Sequence, residues 1–349
     1  EMDSLSFYKS LNYARYGSPK RPDKLQRFNR SQFIKLTVEQ HAKIQDQLSN
    51  YKGVYIEPRT LRTYPYDAFA VGLGYVKEIS NSMLKRDKED YYKSGDLVGI
   101  AGLEKNYEHL LRGKRGVQFM MRDVFGVQKA SYKAGSKDIE AEMGKDLTTS
   151  IDIDLQEYGE KLMANKRGSI VAIEPSTGEI LAMVSAPTYN PNMLTGDGRT
   201  ASRNFLKLSK DINKPLFNRA VMATSPPGST FKIAQALIGL QDGVIDTVST
   251  RIGCNKSLVN CHNHGSPLTV HGSIQHSCNP FYYVTFSRIL KQKKVKDVLE
   301  DTRIGLTNWR KQMLSFGFGR KLGLDWGAEK TGNIPSVSYY DKRFKNYPY

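Results

Sequence analysis

The residues able to do chemistry gather between Ser225 and Pro280. Ser225-Pro226-Pro227-Gly228-Ser229-Thr230-Phe231-Lys232 joins a Pro-Pro-Gly turn to a run with Phe231, Ile233, Ala234, Leu237 and Ile238 at apolar positions. This pattern predicts a buried helix with Ser229 in its first turn. Lys232 then lies three residues on, on the same face and within hydrogen-bonding reach of the hydroxyl. A Ser becomes a nucleophile only when a neighbouring base takes its proton. A Lys can do so when neutral, and burial and the positive helix N-terminus both lower its pKa. The same N-terminus offers a backbone N–H to an oxyanion. The alternative is an N-cap Ser beside a solvated Lys, since Ser-x-x-Lys arises by chance in many chains. His276-Ser277-Cys278-Asn279-Pro280 adds a second hydroxyl and an amide, 48 residues after Ser229. Taken alone, these are turn and capping residues.

A second constellation overlaps the first. All three Cys (Cys254, Cys261, Cys278) and four of the six His (His262, His264, His271, His276) fall within residues 254–278. The spacing Cys254-x6-Cys261-x2-His264-x13-Cys278 suits a closed, structural, tetrahedral Zn²⁺ site. His262 competes with His264, but as the neighbour of Cys261 it would have to fold back to reach the same ion. Cys278 alternates away from Ser277 and Asn279, so a metal there would brace their loop from behind. A Cys254–Cys261 disulfide with Cys278 free, or three free thiols, are the alternatives.

These residues need a framework. Gly168–Ile173 and Ile180–Val184 are two apolar strands around the turn Glu174-Pro175-Ser176-Thr177-Gly178-Glu179, which predicts a β-hairpin. Before it, Thr148–Asp154 alternates with period two and Leu155–Asn165 reads as an amphipathic helix. Helical segments recur from Ser229 to about Leu314. Strands first and helices after them predict an α+β domain, not a doubly wound sheet. Upstream, a helix start is read at Thr37-Val38-Glu39, and Gly53–Pro58 followed by Arg59–Tyr66 reads as extended. Residues 95–116 carry five glycines around the helix-like core Leu103–Glu108, and Val117–Gly144 is loosely strand-like and charged. The break near Leu147 divides the 349 residues into expected domains 1–146 and 147–349.

Composition sets outer limits. With 39% hydrophobic and 25% charged residues, the chain can bury sizeable cores and is not a disordered tail. No apolar run approaches the roughly 18 residues of a membrane span. The net charge of +17 keeps anionic partners open, yet the basic residues fall in no nucleic-acid-reading motif. A positive protein equally suits an anionic membrane or wall polymer. The chain opens at Glu1 rather than Met and carries no signal peptide, so it reads as a piece of something longer.

Ser-x-x-Lys followed by Ser-x-Asn resembles the active-site signature of penicillin-binding proteins and class A β-lactamases. Gly168–Ala186 with Pro187-Thr188-Tyr189-Asn190-Pro191-Asn192, and Phe217-Asn218-Arg219-Ala220, resemble the entry to the transpeptidase domain of class B penicillin-binding proteins. Gly53–Ser80 and Gly95–Gly116 resemble the non-catalytic pedestal of the elongation type, penicillin-binding protein 2, as do Phe316-Gly317-Phe318-Gly319 and Gly323-Leu324-Asp325. The resemblance implies a pedestal followed by a serine-β-lactamase-like transpeptidase domain. It implies that Ser229 attacks the D-Ala–D-Ala carbonyl of a peptidoglycan stem peptide, with Lys232 as base, Ser277 as proton relay and Asn279 as substrate positioner. β-Lactams would acylate the same Ser. It further implies the periplasmic face of the inner membrane, an anchoring helix outside this chain, and a membrane glycosyltransferase and elongation scaffold proteins as partners, with no nucleic acid. Two other readings stand beside it: a binding module that activates the glycosyltransferase while its catalytic domain is inert, and a D,D-carboxypeptidase or β-lactamase.

One departure concerns the family's third motif, Lys-Thr-Gly. Lys330-Thr331-Gly332 comes only 53 residues after Ser277, inside Glu329-Lys330-Thr331-Gly332-Asn333-Ile334-Pro335. That resembles the Glu-Lys-x-Gly-x-x-Pro loop of the elongation type, and Pro335 argues against a central strand. Lys330 is therefore expected to be a decoy, with the chain ending before the true motif.

Overall fold

The computed structural model describes residues 36, 38–48, 50, 61–122, 128–196 and 198–344. Thr37 and the segment Gly53–Pro58 read above lie outside them, as do Arg59 and Thr60. Among the described residues, no helix is long and apolar enough to cross a membrane. Those up to Ala220 form one compact unit and those from Val221 a second. Helices and short antiparallel ladders make the architecture α+β, as expected.

Among the described residues, the first unit opens with α1 (Val38–Leu48) and contains three two-stranded antiparallel sheets. They pair β1 (Tyr75–Glu78) with β2 (Leu97–Ala101), β3 (Met120–Arg122) with β4 (Gln128–Ser131), and β5 (Gly168–Ile173) with β6 (Ile180–Ala186). The last pair is the predicted hairpin. Its turn closes through Gly178, whose φ of 82° suits a residue without Cβ. The period-two stretch before it is not a strand: Asp152 caps α2 (Ile153–Leu162) by accepting the Leu155 N–H at 3.0 Å. Gln156 on α2 is fully buried, and its amide bonds the Met183 N–H (2.7 Å) and C=O (3.2 Å), so a side chain completes one edge of β6.

The read extension Arg59–Tyr66 is described from Leu61 and has a defined job. Arg62 (2.7 and 2.9 Å) and the Tyr64 hydroxyl (2.9 Å) both bind the buried Glu104 carboxylate. Without these partners the Glu104 carboxylate would be buried uncompensated, so the extended segment and the Leu103 helix stabilise each other, by less than a fully buried pair would because Arg62 remains partly exposed. Tyr64 is held protonated by burial and by the Glu104 charge. Past β6 comes α3 (Gly198–Lys210).

In the second unit, α4 (Phe231–Gln241), α5 (Val270–Gln275), α6 (Asn279–Leu290) and α7 (Val298–Ser315) pack around two apolar clusters. Ala234, Ile238, Ile289, Leu306, Trp309 and Met313 form one, while Ala236, Ile245, Leu268, Val270, Cys278 and Phe281 belong to the other. Glycine permits the close crossing of α4 and α6: a Cβ on Gly239 would stand 2.9 Å from Thr285 Cγ2. The helix expected after Ser229 is present, but its burial is one-sided. Ile233 is 55% and Leu237 49% exposed, because the 234–235–238 side faces the core and a 3.6-residue period turns 233 and 237 outward. A final helix, α8 (Val337–Arg343), lies beyond the elements read from sequence. It is tied to α7 by a bidentate Arg303–Asp341 pair at 2.7 and 3.1 Å.

Candidate active site

Ser229 sits in a single 3₁₀ turn, Gly228–Thr230, that leads into α4. Pro226 and Pro227 stop any helix from extending backwards, and Gly228 takes φ 61°. The hydroxyl stands exposed on this turn. Ser277 donates to it, Oγ to Oγ, at 2.9 Å. Lys232 is half-buried, and its ammonium makes three bonds: to Ser277 Oγ (2.9 Å), the Ser277 carbonyl (2.6 Å) and Asn279 Oδ1 (2.7 Å). All four sequence-predicted residues thus come together. One detail differs from the helical-face argument. Among the described residues, Lys232 reaches Ser229 through Ser277, not directly, because the side chain swings to the 277–279 loop.

That loop is held in a conformation ordinary residues avoid. Ser277 has φ 48°, in the left-handed region, between the end of α5 and the start of α6. Non-glycine residues there cost about 1–2 kcal/mol, and such strain concentrates at functional sites. The turn lets the Cys278 N–H return to the Ser273 carbonyl (3.0 Å) while Ser277 and Asn279 present their side chains to Lys232. Asn279 Nδ2 donates to the Asn260 carbonyl at 2.8 Å, leaving its second N–H for another acceptor.

Burial pushes the Lys232 pKa below its ordinary value, against the opposing influence of the Cys261 and Cys278 thiols. The Tyr282 ring, 5.7 Å from Nζ, also favours the cation. The net direction is the one a general base requires.

Directly behind this loop the ligand atoms of Cys254, Cys261, His264 and Cys278 all lie within 4.8 Å of one another. These are the four residues read from spacing. None of the three Cys is in a disulfide. A tetrahedral ion with metal–sulfur bonds of about 2.3 Å would separate its ligands by about 3.8 Å, so small side-chain adjustments would close the shell. The surroundings are arranged for it. His264 Nδ1 lies 2.7 Å from the Gly265 carbonyl, which assigns its proton there and turns the Nε2 lone pair towards Cys261 Sγ at 3.5 Å. The Cys261 thiol is lowered to about 7: burial raises it, but the Asn279 backbone N–H and the His264, Cys254 and Cys278 contacts outweigh burial. Cys278, fully buried, is pushed up to about 11. The Gly265 carbonyl and the Cys261 contact raise His264. His262 lies outside the cluster, its ring edge-on to His264.

Lys330 lies in a loop without strand structure. Its backbone N–H bonds the Val221 carbonyl at 2.9 Å, and residues 330–333 share with 223–227 an open cavity of about 470 Å³. Glu329 anchors the loop by accepting the Leu322 and Gly323 N–H groups. Two contributors were missed in the sequence: the Asn260 carbonyl, which carries no residue-type signal, and Tyr282, legible only as an aromatic three residues after Asn279.

This geometry of Ser, Lys, Ser and Asn can be set against known proteins. Residues 168–349 match the penicillin-binding protein transpeptidase domain. The chain belongs to that family. Residues 6–149 match the penicillin-binding protein dimerisation domain. The peptidoglycan D,D-transpeptidase MrdA of Acinetobacter baumannii is 34% identical over 88% of this chain and 44% of its own length. The Escherichia coli K12 MrdA is 31% identical over 89% of this chain and 48% of its length. The chain therefore spans about half the length of these relatives. Among solved structures, the PBP2–MreC complex from Helicobacter pylori superposes with a TM-score of 0.72 at 26% identity, covering 97% of this chain and 60% of that one. Pseudomonas aeruginosa PBP2 in complex with WCK 5153 gives 0.60 at 30%, covering 84% and 59%. The family is thus a penicillin-binding protein of the PBP2 type, as the sequence resemblance implied.

Proposed function

We propose that this chain is part of a peptidoglycan D,D-transpeptidase that cross-links stem peptides through a Ser229 acyl-enzyme during cell elongation. The observation that carries the reading is the unbroken hydrogen-bond line Ser229–Ser277–Lys232. Once Lys232 is neutral its lone pair accepts from Ser277 and the line reverses, so Lys232 takes the Ser277 proton as Ser277 takes that of Ser229, and the freed oxygen attacks the D-Ala–D-Ala carbonyl carbon. The backbone N–H of the Ser229 turn stabilises the oxyanion. As the intermediate collapses, the C–N bond breaks and the same line returns a proton to the departing D-Ala amine. An amine of a second stem then attacks the ester. The C–O bond breaks, Ser229 regains its proton, and a new amide joins the stems. Asn279 offers its remaining N–H to the substrate amide.

The functional boundary is placed at 146/147, a reading supported by family matches ending at 149 and resuming at 168. The site of action is the periplasmic face of the inner membrane, and the partners are β-lactams, elongation scaffold proteins and a membrane glycosyltransferase. The protein-partner part of this reading is supported by similar structures solved with MreC and in a peptidoglycan synthase complex. Lys330 stands outside the catalytic set. Cys254, Cys261, His264 and Cys278 hold one structural Zn²⁺, which supplies no chemistry to the reaction and fixes the loop carrying Ser277 and Asn279.

The test of function is product analysis with the full-length protein and pentapeptide-bearing glycan strands. Cross-linked dimers with released D-Ala are expected. Trimmed stems without cross-links would favour a carboxypeptidase, and no turnover with intact partner activation would favour a binding module.

A further inference from the structure

The outward face of α3 carries a row of cations that nothing in the catalytic argument uses. The helix sequence Gly-Arg-Thr-Ala-Ser-Arg-Asn-Phe-Leu-Lys-Leu-Ser-Lys contains four cations and no acid. Arg199, Arg203, Lys207 and Lys210 are all exposed, and at 100° per residue they share one face about 80° wide. Leu208 and Phe205 pack on the opposite side against Ala70, Tyr189 and Leu194. Among the described residues none of the four cations has an acidic partner.

Helix physics does not account for the row. Lys207 and Lys210 in the last turn complement the helix dipole, but Arg199 in the first turn opposes it. Arg199–Arg203 and Arg203–Lys207 are like-charge pairs at i, i+4, which also destabilise a helix. A row of like charges that helix stability does not explain points to a ligand.

Three residues past the row, the chain lines a cavity. After Lys210 the chain passes Asp211, whose carboxylate accepts the Asn213 N–H (2.8 Å), and reaches a cavity of about 380 Å³. Asn213, Lys166, Arg167, Ser185 and Thr188 are among its lining residues. Beside it the buried Arg219 guanidinium is held by the Asn213, Lys214 and Phe217 carbonyls, with no carboxylate among these partners. Burial and the neighbouring Arg167 charge both weigh against its cation, so an anion here would relieve repulsion. The acid lining the cavity, Glu160, is bound by the Phe69 N–H and Gln156.

We propose that the α3 face and this cavity form a second, non-catalytic site for the wall polymer itself, a glycan strand whose stem peptides carry repeated carboxylates. The four cations span about 16 Å along the helix axis, a length that suits a polyanion rather than a single small ligand. A membrane surface fits less well. The apolar face that interfacial helices insert is already committed to the core, and the exposed face offers only Leu206, with Ile212 beyond the helix end. The proposal rests on the reading that the protein works on peptidoglycan.

The experiment is co-sedimentation of the detergent-solubilised full-length protein with purified sacculi, with Ser229 acylation by fluorescent penicillin measured on the same samples. The variant Arg199→Gln/Arg203→Gln/Lys207→Gln/Lys210→Gln removes the row at exposed positions and should not lower the melting temperature. Expected are a fivefold or greater loss of sacculus binding in that variant, a similar loss for wild type on sacculi with amidated carboxylates, and unchanged acylation. Phosphatidylglycerol vesicles should not compete. Equal binding by the variant, equal binding to amidated sacculi, or displacement by the vesicles would each overturn the proposal. Failure of wild-type acylation would instead count against the transpeptidase reading. Should the quadruple variant melt early, Arg199→Gln/Arg203→Gln carries the same expectation at smaller size.

Discussion

Ser277 is the residue on which the chemistry and the strain converge, and two substitutions separate them. Ser277→Ala removes the hydroxyl that lies 2.9 Å from both Ser229 Oγ and Lys232 Nζ, while keeping the left-handed backbone at φ 48°. Loss of a positioned proton carrier costs about 10²–10⁴-fold in rate, so acylation of the full-length protein by fluorescent penicillin should slow by that factor. Lys232 retains the Ser277 carbonyl and Asn279, so the hydrogen-bond loss in stability is about 1 kcal/mol. Ser277→Gly removes the same hydroxyl and also relieves about 1–2 kcal/mol of left-handed strain, offset by about 0.5–1 kcal/mol of glycine entropy. The Gly variant should therefore acylate as slowly as the Ala variant yet be more stable, by up to about 1.5 kcal/mol, in thermal or denaturant unfolding. Acylation by Ser277→Ala within tenfold of wild type would refute the relay. A Gly variant less stable than Ala would refute the strain.

Three further outcomes follow from the site. Because Lys232 must be neutral to act and burial lowers its pKa, acylation should rise with pH through a midpoint below the ordinary Lys value; a midpoint at that value, or no rise, would contradict the assignment. The same lowering means the fold disfavours the cation, a penalty full below the lowered pKa that fades as pH climbs to the ordinary one. Protein purified without added metal should contain about one zinc per chain, lost in Cys278→Ser with a lower melting temperature; no zinc together with a Cys254–Cys261 disulfide in a non-reduced peptide map would refute the metal reading. Lys330→Ala should leave acylation within a few-fold of wild type, whereas a loss of several orders of magnitude would make its loop a wall of the cleft.

The sequence was most informative where residue type and spacing alone decide the chemistry. The Cys₃His set was legible from residue type and spacing, whereas Ser229, Lys232, Ser277 and Asn279, each common in turns and caps by itself, became legible as a combination through the family signature they resemble. The β5–β6 hairpin was legible because its turn residues and apolar runs agree. What escaped were features made by geometry without a type signal. The direction Lys232 takes depends on the Ser277 backbone, whose φ no motif announces. Asn260 acts through a carbonyl that every residue carries. Thr148–Asp154 alternates as a strand would, yet Asp152 is used as a helix cap, since local hydrogen bonding competes with pairing. The exposure of Ile233 and Leu237 reflects which neighbours α4 meets, a tertiary fact that apolar periodicity does not contain.

The central claim is that Ser229 is the nucleophile. Its most direct test is intact-mass and peptide-mapping analysis of the full-length protein after reaction with a penicillin. One covalent adduct per chain is predicted, on the peptide containing Ser229 and absent in Ser229→Ala. An adduct mapped to another residue, or an Ala variant that still acquires it, would contradict the account.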